Sequence, residues 1–204
     1  TTGGDSDFLE DLGTDSETIV GWIKEADKDE ATKAIILEID SPGGSPVATD
    51  EIAQAVKETN KTVVAVIRES GTSGAFWIAT SADYVIANRM SLTGSIGVIG
   101  SHLEFAGLLR DYNITYRRLV SAKYKDAGSR WKDMSPEEQE LFQKVLDEVH
   151  WEFVKEIASN RKLSLEKVAE LAHGFVFTGL QAKEFGFVDA LGNKDDAIKY
   201  IEKK

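Results

Sequence analysis

Ser73 stands in Arg68-Glu-Ser-Gly-Thr-Ser-Gly-Ala-Phe-Trp-Ile-Ala-Thr80, where an apolar run gives way to a small-residue turn and then to a helical pattern beginning near Ala75. That setting puts a hydroxyl at a helix N-terminus, beside backbone N–H groups that have no partner within the helix. A nucleophile is displayed in this way. Serine is a poor nucleophile at neutral pH and needs a neighbouring base, a histidine or a neutral lysine. The chain offers both: Lys125, in the polar segment Ser121-Ala-Lys-Tyr-Lys-Asp-Ala-Gly-Ser129, and His102. A lysine can serve only if burial or nearby positive charge brings its pKa down from about 10.4. Most lysines on polar loops are simply solvated. Gly43 and Gly44 follow another apolar run and let the backbone approach a substrate with N–H groups turned into a cleft, as an oxyanion hole requires. Two glycines alone equally serve any tight turn; their pairing with Ser73 and Gly74 gives them a chemical reading.

The elements that must position these residues alternate. A helical pattern over 16–27, behind Asp15 or Ser16, precedes the apolar run Ala34 to Asp40. The turn Ser41-Pro-Gly-Gly-Ser-Pro46 then leads into a helix from Val47 to Glu58 and a strand from Thr62 to Ile67. After the Ser73 turn the pattern predicts a helix over 75–81 and strands over 83–87 and 95–99. A helix over 102–111 and a strand over 114–119 follow. Strand-helix alternation implies parallel strands with crossover helices, an α/β fold whose active groups gather at the carboxyl ends of strands. Ser135-Pro-Glu-Glu138 opens a long helix with a capping box and Pro at N1. Its stripe Phe142, Leu146, Val149, Phe153 and Ile157 is expected to pack on the sheet or on a partner subunit. A short helix over 164–172, an extended piece over 175–177 and a closing helix over 195–202 complete the pattern. Trp77 fits core packing or the lining of a substrate pocket.

Composition removes several function classes. With 204 residues and 42% apolar content, one catalytic domain over 1–204 is expected. A net charge of −11 argues against a nucleic-acid partner, which would need clustered Lys and Arg. The absence of cysteine excludes disulfides and thiolate chemistry, and His102, His150 and His173 lack ligand spacing. No metal or organic cofactor is therefore expected. No apolar run approaches the roughly 20 residues of a membrane-spanning helix.

Five motifs then carry a resemblance in order: Ser41-Pro-Gly-Gly44, Gly71-Thr-Ser-Gly-Ala75, Thr93-Gly-Ser-Ile-Gly97, Tyr124-Lys-Asp-Ala-Gly-Ser129, and Phe177 through Gly192. From about residue 32 onward the chain resembles the signal peptide peptidase A family, the S49 serine peptidases of the Clp protease and crotonase superfamily. The resemblance implies the repeated ββα spiral fold of that superfamily, with a mostly parallel sheet. It assigns Ser73 as nucleophile, Lys125 rather than Lys123 as general base, and Ser95 as the residue that orients the lysine. Gly44 and Gly74 match the oxyanion donors. It further implies an apolar cleft suited to remnants of cleaved signal peptides, and assembly into a homo-oligomer whose neighbouring subunits share sites. Membrane association through an N-terminal anchor on the extracytoplasmic side also follows. That anchor and a first strand are expected to lie outside this chain, with residues 1–14 flexible. Two other readings stand beside this one. One is a Clp-like peptidase pairing Ser73 with His102, which needs a carboxylate behind the histidine. The other is a non-catalytic or crotonase-type member that binds acyl-CoA.

Overall fold

The computed structural model describes residues 13–204, so the expectations for the first twelve residues lie outside the described part. The described chain divides into two compact units, one comprising 13–97 with 153–204 and the other 98–152.

The larger unit is built on β2 (Thr62–Thr72). Residues Val63 to Ile67 are each at most 2% exposed, the signature of a parallel strand covered on both faces. Val63, Ala65 and Ile67 enter the main core, while Val64 and Val66 enter a smaller cluster with Ile86 and Ala197. β1 (Ala34–Ser41) runs parallel to it from Ala34 opposite Thr62 to Ile39 opposite Ile67, then slips to place Ser41 opposite Gly71. β3 (Tyr84–Ala87) pairs parallel with the first half of β2, and β4 (Leu92–Gly94) with its last three residues. β5 (Val176–Thr178) is antiparallel to β4, and β6 (Ala190–Leu191) parallel to β3. The result is a mixed α/β structure with a mostly parallel six-stranded sheet.

Helices follow where caps and apolar spacing dictate. α1 (Ser16–Lys28) starts at Asp15, whose carboxylate accepts from the Thr18 N–H at 2.8 Å. α2 (Pro46–Glu58) joins β1 to β2, with proline in its first turn. α3 (Gly74–Thr80) buries Phe76 edge-on against Phe187 and stacks Trp77 on Phe153 at 5.2 Å, so core packing is where Trp77 goes. α6 (Leu165–Leu171), α7 (Gly179–Phe185) and α8 (Lys194–Glu202) complete this unit; α7 has no counterpart in the sequence reading.

The smaller unit holds α4 (Ala106–Asp111) and the first part of α5 (Pro136–Arg161), which continues into the larger unit from Phe153. The expected capping box is present: the Ser135 hydroxyl accepts from the Glu138 N–H at 3.2 Å, and the Glu138 carboxylate from the Ser135 N–H at 3.0 Å. The α5 stripe is buried at Phe153 and Ile157 but 44% exposed at Phe142.

Three expectations need correction. The strand placed over 95–99 lies instead at Leu92–Gly94, because Ser95 takes a positive φ of 52° and sends its N–H to the Phe175 carbonyl. The segment 114–119 is irregular: no strand pairs with it among the described residues, and Leu119 is 96% exposed. A lone extended segment has no ladder to hold it. The helix over 102–111 begins only at Ala106. Among the described residues, no helix is long and apolar enough to cross a membrane.

Candidate active site

β1 and β2 are parallel neighbours, so the turns that leave them emerge at the same edge of the sheet. Side chains fasten the two turns together. The Ser70 N–H donates to Asp40 Oδ1 at 3.1 Å, and the Thr72 hydroxyl to the Pro42 carbonyl at 3.1 Å. The Gly43 N–H donates to Ser41 Oγ at 3.2 Å. Gly43 is required twice over. Its φ is +104°, and a Cβ there would stand 2.8 Å from the Gly74 nitrogen and 2.9 Å from Ser73 Cβ.

Ser73 is the residue on which the turn closes. Its φ of 54° and ψ of −128° are strained for a side-chain-bearing residue, at a cost of about 1–3 kcal/mol. Packing enforces the conformation. The Ser73 N–H donates to the Gly94 carbonyl at 2.8 Å, and its own carbonyl accepts from Phe76 and Trp77. Its hydroxyl does not cap α3, so it is left for other work. Gly74 is as constrained as Gly43, since a Cβ would stand 2.2 Å from the hydroxyl of buried Thr49 and 3.3 Å from the Gly44 nitrogen. Among the described residues, neither the Gly44 nor the Gly74 N–H has a hydrogen-bond acceptor. Two unpaired amides beside an uncommitted hydroxyl form an arrangement that can receive a carbonyl and stabilise negative charge on its oxygen.

The larger unit therefore brings Gly44, Ser73, Gly74 and Ser95 into one neighbourhood. Ser95 follows the Gly94 that accepts from Ser73, shares its positive φ, and donates weakly from its hydroxyl to the Gly174 carbonyl at 3.4 Å. Lys125 and His102 belong to the smaller unit. Lys125 lies in a run of turns with its N–H on the Ala122 carbonyl, and its exposed side chain has no hydrogen-bond or ion-pair partner among the described residues. Its neighbour Lys123 is bound to Glu137 at 2.6 Å, and that hydrogen bond, aided by Tyr124, holds its ammonium well above the ordinary lysine value. His102 is exposed, and no carboxylate holds it among the described residues.

Thr49 and Thr72 escaped the sequence reading. Thr49 reads as an ordinary residue in the first turn of α2, and only its contact with Gly74 reveals it. Thr72 adjoins Ser73, which was the available signal. A polar concavity of about 380 Å³, lined by Lys57, Asn60, Lys61, Asp83 and neighbours, lies at the start of β2 and includes none of these residues. Among the described residues no cluster of His, Asp and Glu is disposed to hold a metal ion.

Fold and site together define an α/β protein organised around one serine displayed at the end of a parallel strand. Residues 55–204 match the model for peptidase family S49, and the chain belongs to that family. It is 40% identical over 171 residues to a provisionally named protease of Synechocystis, covering 82% of this chain and 61% of that protein. It is 34% identical over 190 residues to another of Methanocaldococcus jannaschii, covering 92% and 61%. With the chloroplastic serine protease SPPA of Arabidopsis thaliana it shares 31% identity over 192 residues, covering 93% and 28%. The chain thus spans about six tenths of the length of the first two relatives.

Proposed function

We propose that the chain is the catalytic part of a serine endopeptidase that uses a Ser73–Lys125 dyad. The observation that carries this reading is Ser73 itself: a strained serine with an uncommitted hydroxyl, flanked by the unpaired amides of Gly44 and Gly74. Family membership and relatives named as proteases support peptide-bond hydrolysis.

In this mechanism neutral Lys125 takes the Ser73 proton as the hydroxyl oxygen attacks a peptide carbonyl. The Gly44 and Gly74 amides hold the oxyanion, and the Ser95 hydroxyl orients the lysine. Lys125 returns the proton to the leaving amine, and the acyl-enzyme is then hydrolysed by water that the same lysine activates. Remnants of cleaved signal peptides are the proposed substrates, at or near a membrane and on its extracytoplasmic side. A homo-oligomer with sites shared between neighbours is part of the proposal, and the apolar exposure of the smaller unit supports it: Ile99, Leu103, Tyr112 and Leu119 are each at least 72% exposed.

The test is cleavage of a fluorogenic peptide with an apolar residue before the scissile bond, by the unmodified chain, Lys125→Ala and His102→Ala, across about pH 6–10. An alkaline rise in rate, abolished by Lys125→Ala and untouched by His102→Ala, is expected. Activity that falls below about pH 6.5 and vanishes with His102→Ala would instead favour a histidine base. Peptide binding or acyl-CoA binding without turnover would favour a non-catalytic or crotonase-type role.

A further inference from the structure

Three carboxylates surround the run of turns that carries Lys125, and another cation occupies each of them. Arg118 grips Asp126 with both arms of its fork, Nε to Oδ2 at 2.6 Å and Nη2 to Oδ1 at 2.8 Å. Lys123 binds Glu137 at 2.6 Å, and the Tyr124 hydroxyl donates to the other Glu137 oxygen. Lys132 binds both oxygens of Glu138, at 2.6 and 2.7 Å. Arg118 does more than pair charge: its Nη2 also donates to the Lys123 carbonyl at 2.7 Å. The guanidinium therefore ties the backbone two residues before Lys125 to the side chain immediately after it. The Asp126 side chain is only 13% exposed, so this bidentate pair is better shielded than an ordinary surface contact.

Which carboxylate a lysine meets decides whether it can be a base. Lys123 shows the effect within the same loop, since Glu137 holds it firmly protonated. Asp126 is covalently adjacent to Lys125 and, if released, is the carboxylate nearest to it in sequence. With Arg118 in place, hydrogen bonding to the guanidinium keeps the Asp126 carboxylate engaged and holds its pKa below the ordinary value. The charged and titratable groups that face this cluster within the smaller unit are Tyr116, Arg118, Lys123, Tyr124, Asp126, Lys132, Glu137 and Glu138.

We infer that Arg118 is a positioning residue for Lys125: it fixes the turn on both sides of the lysine and withholds the Asp126 carboxylate from the lysine ammonium. The inference rests on the reading of Lys125 as general base. Losing Arg118 frees Asp126 to pair with Lys125, which favours the ammonium and raises the pH at which the base becomes available. Each pH unit of that rise removes about tenfold of the neutral lysine below the midpoint.

The test is the pH profile of kcat/KM for peptide cleavage in the unmodified chain, Arg118→Leu, Arg118→Leu/Asp126→Asn, Asp126→Asn and Lys125→Ala. Arg118→Leu should raise the midpoint of the alkaline limb by about one unit and lower activity about tenfold at neutral pH, with KM little changed. Removing the freed carboxylate in the double variant should return the midpoint to its original place. Asp126→Asn, which keeps the bond from Arg118 to the Lys123 carbonyl, should show no upward shift. A merely structural arginine would instead lower activity at every pH with a fixed midpoint, and the second substitution would not restore it. An unmoved midpoint in Arg118→Leu, an unreversed shift in the double variant, or an upward shift in Asp126→Asn overturns the inference alone. Undiminished cleavage by Lys125→Ala overturns the reading on which it rests.

Discussion

The two units hold the candidate site residues by different physical means. In the larger one, Ser73 sits at the end of a strand whose residues from Val63 to Ile67 are shut away from water, and a packed sheet sustains its strained backbone. In the smaller one, Ala106 and Glu138 are the only buried residues, and the turns around Lys125 are held by ion pairs. Apolar packing is stiff and insensitive to pH, so it suits a nucleophile and amides whose geometry must not drift. An ion-paired loop is softer, and its charges set the electrostatic surroundings of a base directly.

Disturbing the rigid side should be the more damaging. Gly74→Ala drives a Cβ against the Thr49 hydroxyl and beside the Gly44 nitrogen, displacing both candidate oxyanion donors. A loss of about 10²- to 10³-fold in kcat is expected for each displaced donor. Gly74→Ala/Thr49→Ala, which removes the nearer obstacle, should recover part of it in steady-state assays. Phe76→Ala empties a fully buried site between α3 and Phe187 and should cost about 3–5 kcal/mol in chemical denaturation.

Acid should separate the units next. Asp126, Glu137 and Glu138 are each held below their ordinary values, chiefly by hydrogen bonds to Arg118, Lys123 and Lys132 respectively. A carboxylate whose folded pKa is depressed contributes stability above its unfolded value of about 4, and that contribution is lost as pH falls through the folded value. Amide exchange across 118–138 should therefore accelerate, relative to the intrinsic exchange rate at each pH, before exchange in β2 when pH is lowered toward about 3. Uniform acceleration would erase the contrast. The smallest effect belongs to Arg110→Ala. That residue pairs with Asp133 where both side chains are more than 60% exposed, and its loss should leave the denaturation midpoint unmoved.

The same contrast explains what was legible beforehand. Apolar runs announced β1 and most of β2, cap residues announced α1 and α5, and small residues announced the turn that holds Ser73, because each signal is local. The three-residue β4 was not legible, since a backbone reversal at Ser95 and pairing with distant Val176–Thr178 create it. Residues 114–117 alternate apolar and polar as a strand should, yet among the described residues no neighbouring strand pairs with 114–119. Thr49 and Arg118 carry no local mark at all. Their contacts exist only once Gly74 and Asp126 have been folded against them.

The most direct test of the central claim is mass-spectrometric mapping of the acyl group left on the chain during turnover of a slowly deacylating peptide ester. The account predicts an acyl adduct on the peptide containing Ser73, and neither adduct nor cleavage in Ser73→Ala. An adduct on another residue, or cleavage that persists in Ser73→Ala, would contradict it.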